Sequence, residues 1–156
     1  MLMRRILGYV VVGTLACSSQ LSAQRSSTDN VELSGDILAT ALPAAALAST
    51  LIWKDDQRAT LQFAMTTVTS FAVTHVLKRV VDKPRPNGGD HAWPSGHTSS
   101  AFSGAAFLQI RHGWRVGVPA YLLAGYVGWT RVYVDAHDYW DVLGGAIVGI
   151  GSAYLF

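Results

Sequence analysis

The chain has 156 residues, room for one domain of ordinary size and too few for two. Half of the residues are hydrophobic and 14% are charged, against about a quarter charged in an ordinary soluble domain, so water is not the only solvent indicated. With 12 Lys and Arg against 10 Asp and Glu, the net charge of +2 gives no basis for a nucleic-acid partner, and the single cysteine, Cys17, permits neither an internal disulfide nor a Cys-based zinc site.

Arg4 and Arg5 precede an apolar run from Ile6 to Ala16, followed by small and polar residues. This is the layout of a secretory signal, with a cleavage site at Leu21-Ser22-Ala23 or retention of residues 1–23 as a short anchor. A polar linker, 24–35, is expected next. Residues 36–156 then read as an all-α bundle of five core helices, at about Asp36–Trp53, Arg58–Val81, Thr98–Arg111, Trp114–Arg131 and Tyr139–Phe156. Gly, Ala, Ser and Thr recur all round these segments, as in Ser100–Ala106 and Gly144–Gly151. Small residues let helices approach closely in lipid, and a helix without a polar stripe must be buried in protein or in membrane.

The charge-free cores fall short of the ~18 to 20 residues usual for a spanning helix, which leaves a soluble, secreted helical domain as the alternative. The tryptophans favour a membrane-embedded bundle: Trp53, Trp93, Trp114, Trp129 and Trp140 all fall at expected helix ends or in loops, as an interfacial belt requires. Alternation of spans puts the Lys54–Arg58 and Arg111–Arg115 turns on the N-terminal side and the Asp82–His97 and Val132–Asp138 loops on the other. Lys and Arg divide evenly between the two sides, so orientation rests on Arg4 and Arg5, which hold the N-terminus in the cytoplasm.

The loops opposite carry the chemistry. Lys78 closes the second helix and Arg85-Pro86 follows; Pro94-Ser95-Gly96-His97 opens the third, whose free amides suit an anion; Arg131, His137 and Asp141 flank the start of the fifth. His137 and Asp141, four apart, share one face if the fifth helix starts early. Singly, these are a basic patch, a helix start and a structural histidine. Together they bring two arginines, a lysine, two histidines, an aspartate and a helix N-terminus to one end of the bundle, as a phosphate dianion needs, with one histidine as nucleophile and one as acid. Three cations beside a divalent metal would repel it, which argues against a non-catalytic metal-binding or structural membrane protein with His91, His97, His137 and Asp141 as ligands.

The motifs resemble those of the type 2 phosphatidic acid phosphatase superfamily: KxxxxxxRP at Lys78, Arg85 and Pro86, PSGH at Pro94–His97, and SRxxxxxHxxxD at Arg131, His137 and Asp141, with Thr130 in place of Ser. The resemblance implies that Lys78, Arg85 and Arg131, with the Ser95 hydroxyl and the Gly96 amide, bind the phosphoryl oxygens. It further implies that His137 attacks phosphorus, oriented by Asp141, and that His97 protonates the leaving oxygen, with no metal or other cofactor. The expected activity is hydrolysis of phosphomonoester or diphosphate bonds of membrane lipid phosphates, at the extracytoplasmic face of a bacterial inner membrane. A vanadate-dependent haloperoxidase is the alternative within the superfamily, disfavoured because a soluble oxidant gains nothing from an apolar bundle. His91 is read as a tuning residue, His75 as a hydrogen-bonded core residue, His112 as a turn residue, and Asp90, Asp135 and Asp138 as solvated loop charges.

Overall fold

The computed structural model describes residues 2–52 and 57–156, with side chains from residue 27 onward. It is all-α: α1 (Leu2–Ile52), α2 (Gln57–Val81), α3 (Gly96–His112), α4 (Trp114–Tyr133) and α5 (Tyr139–Tyr154). The four later helices lie close to the expected ones. The first does not: α1 runs through residues 24–35, expected as a linker, in one helix. That stretch is polar but contains no Pro and reaches its first Gly only at Gly35, and polarity without a breaker does not end a helix. The cleavage site at 21–23, and Arg4, Arg5, Cys17, Trp53 and Lys54, lie outside the residues whose side chains are described.

α3 is the central element and packs against all four others. Its contacts rest on small residues. A Cβ on Gly145 would lie 2.5 Å from the Ser95 carbonyl, and one on Gly149 would lie 2.4 Å from that of Ser99, so α5 meets the α3 backbone directly. Around α3 the core holds Ala39, Leu42 and Ala46 of α1, Phe63 of α2, and Ala120, Ala124 and Val127 of α4. Phe63 meets Phe107 edge to face at 5.1 Å. Between α2 and α3 the contact is polar, with Ser99 Oγ 2.7 Å from Ser70 Oγ and 2.9 Å from Thr74 Oγ1.

The outside reverses this pattern. Val68, Phe71, Val76 and Val80 of α2, Leu122 of α4 and Ile147 of α5 are all exposed, Val80 to 75% and Leu122 to 70%. A bundle with small and hydroxylated residues inside and large apolar ones outside is arranged for an apolar surround. Ser27–Ile52 is, among the described residues, long and apolar enough by itself to cross a membrane.

Two short connections fix which ends meet. Gly113, at φ +79°, joins α3 directly to α4, and its amide donates to the Gln109 carbonyl; only glycine adopts that φ without strain. At the opposite end, Asp138 caps α5 in a full capping box with Asp141. The C-termini of α2 and α4 and the N-termini of α3 and α5 therefore converge at one end of the bundle.

Candidate active site

A cleft of about 350 Å³ opens at that end, lined by Lys78, Arg85, Gly96, His97 and His137, with Phe71 and His75 of α2, Ala39 and Thr40 of α1, and Ser100. Five of the eight residues singled out in the sequence thus line one cavity. Of the other three, Asp141 lies behind His137, while Ser95 and Arg131 are held in the walls.

His137 is buried in the α4–α5 connection, where its amide donates to the Arg131 carbonyl at 3.1 Å. Its Nδ1 stands 3.3 Å from Asp141 Oδ2, which leaves Nε2 as the other ring nitrogen. Asp141 is fully buried and fully engaged: Oδ2 also accepts from the Asp138 amide at 3.1 Å, Oδ1 accepts from Lys83 Nζ at 2.7 Å, and its carbonyl accepts the Ser95 amide at 2.9 Å. One residue on the first turn of α5 therefore orients the imidazole and ties it to the start of α3. Burial, and then the charges of Lys78 and Arg85, push the His137 pKa from 6.5 down to about 4, the Asp141 contact opposing them. The ring is neutral at physiological pH.

The α2–α3 loop aims the cations. Lys78 Nζ donates to the His91 carbonyl at 2.7 Å, and Arg85 Nε donates to that of Asp90 at 3.1 Å. The His91 ring itself turns away to Asp82, 2.8 Å from it. Ser95 is the N-cap of α3. Its buried hydroxyl accepts from Thr98 Oγ1 at 3.0 Å, so in this state it holds the helix start rather than facing the cleft. Gly96, the first residue of α3, carries an amide with no intrahelical acceptor.

Arg131 lies beneath α1 and is only 2% exposed. Nη1 pairs with Asp36 Oδ1 at 2.7 Å, Nη2 donates to the Glu32 carbonyl at 2.8 Å, and Nε donates to Thr130 Oγ1 at 3.2 Å. The same Asp36 oxygen stands 3.2 Å from His97 Nε2. The hydroxyl of Thr130, where the motif has Ser, thus braces the arginine.

Two single residues depart from expectation. His75 is exposed at the cleft edge rather than in the core, stacked on Phe71 with ring centroids 3.9 Å apart and its Nδ1 3.0 Å from the Phe71 carbonyl. Asp138 is no free loop charge, since it caps α5 and pairs with Lys83. The Lys83 ammonium bond holds its carboxyl below the usual range, and burial opposes only in part. For Lys83, burial lowers the pKa but the bonds to Asp138 and Asp141 outweigh it and raise it. The three motifs name neither Asp36 nor Lys83 as a site residue. The available signal for Asp36 was an acid at the head of an apolar helix, which asks for a partner elsewhere.

The model of the PAP2 superfamily matches residues 87–156, which hold the second and third motifs. Among relatives, it is 40% identical over 63 residues to the lipid A 4'-phosphatase of Helicobacter pylori, a match covering 40% of this chain and 32% of that enzyme. To undecaprenyl-diphosphatase BcrC of Bacillus subtilis it is 25% identical over 131 residues, 74% of this chain and 67% of that one. The crystal structure of Aquifex aeolicus LpxE has the same fold, with a TM-score of 0.63 at 21% identity over 77% of this chain and 83% of that one. The chain spans about a third of the length of the Helicobacter 4'-phosphatase.

Proposed function

We propose that this protein is a membrane-embedded lipid phosphatase, which cleaves phosphomonoester or diphosphate bonds through a phosphohistidine on His137. The observation that carries the reading is the cleft itself. A buried imidazole, held on Asp141 and kept neutral, faces the same cavity as Lys78, Arg85, the first residue of α3 and His97. Phosphoryl oxygens placed on those cations and on the Gly96 amide put phosphorus in front of His137 Nε2.

In the first step Nε2 bonds to phosphorus, the bond to the leaving oxygen breaks, and His97 gives that oxygen a proton. Asp141 stabilises the cation that forms on the imidazole ring. In the second, His97 takes a proton from water, whose oxygen attacks phosphorus, and the P–N bond breaks to return neutral His137 and inorganic phosphate. The exposed apolar surface supports a lipid substrate, and the relatives named for lipid A and undecaprenyl diphosphate act on lipid-linked phosphates. In this reading residues 1–23 are a signal or short anchor, 36–156 are the phosphatase bundle, and the cleft opens on the extracytoplasmic face of the inner membrane.

The test is phosphate release by purified protein from phosphatidate, phosphatidylglycerol phosphate, undecaprenyl diphosphate and lipid A, with His137→Ala as control. Release from at least one, persisting in EDTA and absent in the variant, is expected. A requirement for added magnesium or zinc would overturn the mechanism. Orientation is read separately, by labelling Asn87→Cys in intact cells in a Cys17→Ser background. Labelling only after the inner membrane is permeabilised would reverse it.

A further inference from the structure

The described residues that line the cleft include no acid, yet a carboxylate from α1 reaches its wall. Asp36 Oδ1 accepts from Arg131 Nη1 at 2.7 Å and stands 3.2 Å from His97 Nε2. A carboxylate oxygen on a guanidinium at that distance makes the same charge-assisted contact as a phosphoryl oxygen. Nη2 is on the Glu32 carbonyl, Nε is on Thr130, and the side chain is 3% exposed, so Nη1, whose partner Asp36 also reaches the cleft-lining His97, is the nitrogen turned toward the cleft. If Arg131 binds phosphate, Asp36 must give up Nη1.

We propose that Asp36 is the site's own competing anion: its carboxylate fills the Arg131–His97 half of the cradle in the ligand-free protein, is displaced by the phosphoryl group, and so sets the affinity for it. This rests on the phosphatase reading above. Two anions on one Nη1 repel each other, so occupancy is exclusive. The exchange needs no movement of α1. The Asp36 side chain is 44% exposed and has solvent to turn into, whereas the bonds at Nε and Nη2 keep the guanidinium in place with Nη1 aimed at the vacated position. Product phosphate meets the same competitor, so Asp36 weakens product binding as well and returns the site to its closed state.

The experiment measures inhibition by orthovanadate and by inorganic phosphate, with KM for p-nitrophenyl phosphate, in wild type, Asp36→Asn, Asp36→Ser and Asp36→Glu. Removing the charge should lower both inhibition constants and KM by about tenfold, corresponding to ~1.4 kcal/mol. Asp36→Glu, which keeps an anion in reach, should stay nearer wild type. In an Arg131→Gln background the gain should vanish, because the contested donor is gone. Unchanged or weaker vanadate binding in Asp36→Asn and Asp36→Ser, with helical content retained by circular dichroism, would overturn the proposal. In that case Asp36 stays in place and serves to orient His97. A wild-type protein that neither releases phosphate nor binds vanadate is a different failure, that of the phosphatase reading itself.

Discussion

The two sides of the cleft are assembled by different rules. On the side of the α2–α3 loop and α5, each group is aimed by chain close to it in sequence: Lys78 and Arg85 by the His91 and Asp90 carbonyls of the loop that follows them, His137 by Asp141 four residues on. On the α1 side, Arg131 is held by Asp36 and Glu32, 95 and 99 residues away, and His97 meets the same Asp36. The first side presents its charges to the cavity. The second neutralises them. Short-range order aims the nucleophile and the two cations, with Asp141 held in addition by Lys83, 58 residues away, and long-range packing controls access to the rest of the anion site.

That contrast is broken most severely at the nucleophile. In His137→Ala no other described side chain stands on Asp141 facing the cleft, so turnover should fall by on the order of 10⁴-fold or more with every substrate, whatever happens on the α1 side. Acid-labile incorporation of labelled phosphate should disappear with it. A variant that keeps phosphoenzyme formation would move the nucleophile to the other side of the cleft.

Lys83 tests whether the first side is complete as the three motifs define it. Its ammonium holds the free oxygen of a fully buried carboxylate that in turn orients His137. A hydrogen bond to a charged group is worth about 1.5–3 kcal/mol, so Lys83→Met should lower kcat by roughly ten- to a hundredfold, with Lys83→Arg recovering part of it. KM should change much less, because Lys83 does not line the cleft. A variant whose KM rises while kcat holds would make Lys83 a substrate ligand instead.

On the α1 side the sensitive position is Gly35. A Cβ there would lie 2.1 Å from Thr130 Oγ1 and 2.5 Å from Arg131 Nη2, so Gly35→Ala must push α1 off the arginine. Overpacking of this kind costs about 1–3 kcal/mol, visible as a lower melting temperature in detergent. It should also loosen Asp36 from Arg131. An unshifted melting temperature would mean that α1 is not seated on Arg131 in solution.

The same division explains what could be read beforehand. The five helices and the residues around His137 are local patterns: apolar runs between loops, Ser95 before an apolar helix, His137 and Asp141 one turn apart. Placing Asp36 needs the path of α1 over α4, which no spacing encodes. Asp138 and Lys83 were legible as charges but not as partners, being 55 residues apart. His75 lies on an apolar helix face that would be core in water, whereas here that face borders the cleft and the bundle surface. The linker at 24–35 failed for a different reason. Polarity marks solvent, while helix ends need breakers or caps.

The smallest effect concerns protons, and it distinguishes burial from the two cations as the cause of the neutral imidazole. With its pKa near 4, His137 should titrate well below free histidine, and imidazole resonances assigned by loss in His137→Gln would show this directly by NMR without substrate. Burial is the larger cause and Lys78 the next, so Lys78→Met should move the midpoint upward without restoring it to 6.5. The sign for stability follows from proton counting. Between about 4 and 6.5 the unfolded chain binds a proton that folded His137 does not, so this residue's contribution is complete above 6.5 and is lost as pH falls toward 4. In Lys78→Met that window should narrow from its lower edge. A midpoint at 6.5 in the wild type would mean that water reaches the ring, and the α2–α5 side would then be as open at His137 as it is at Lys78.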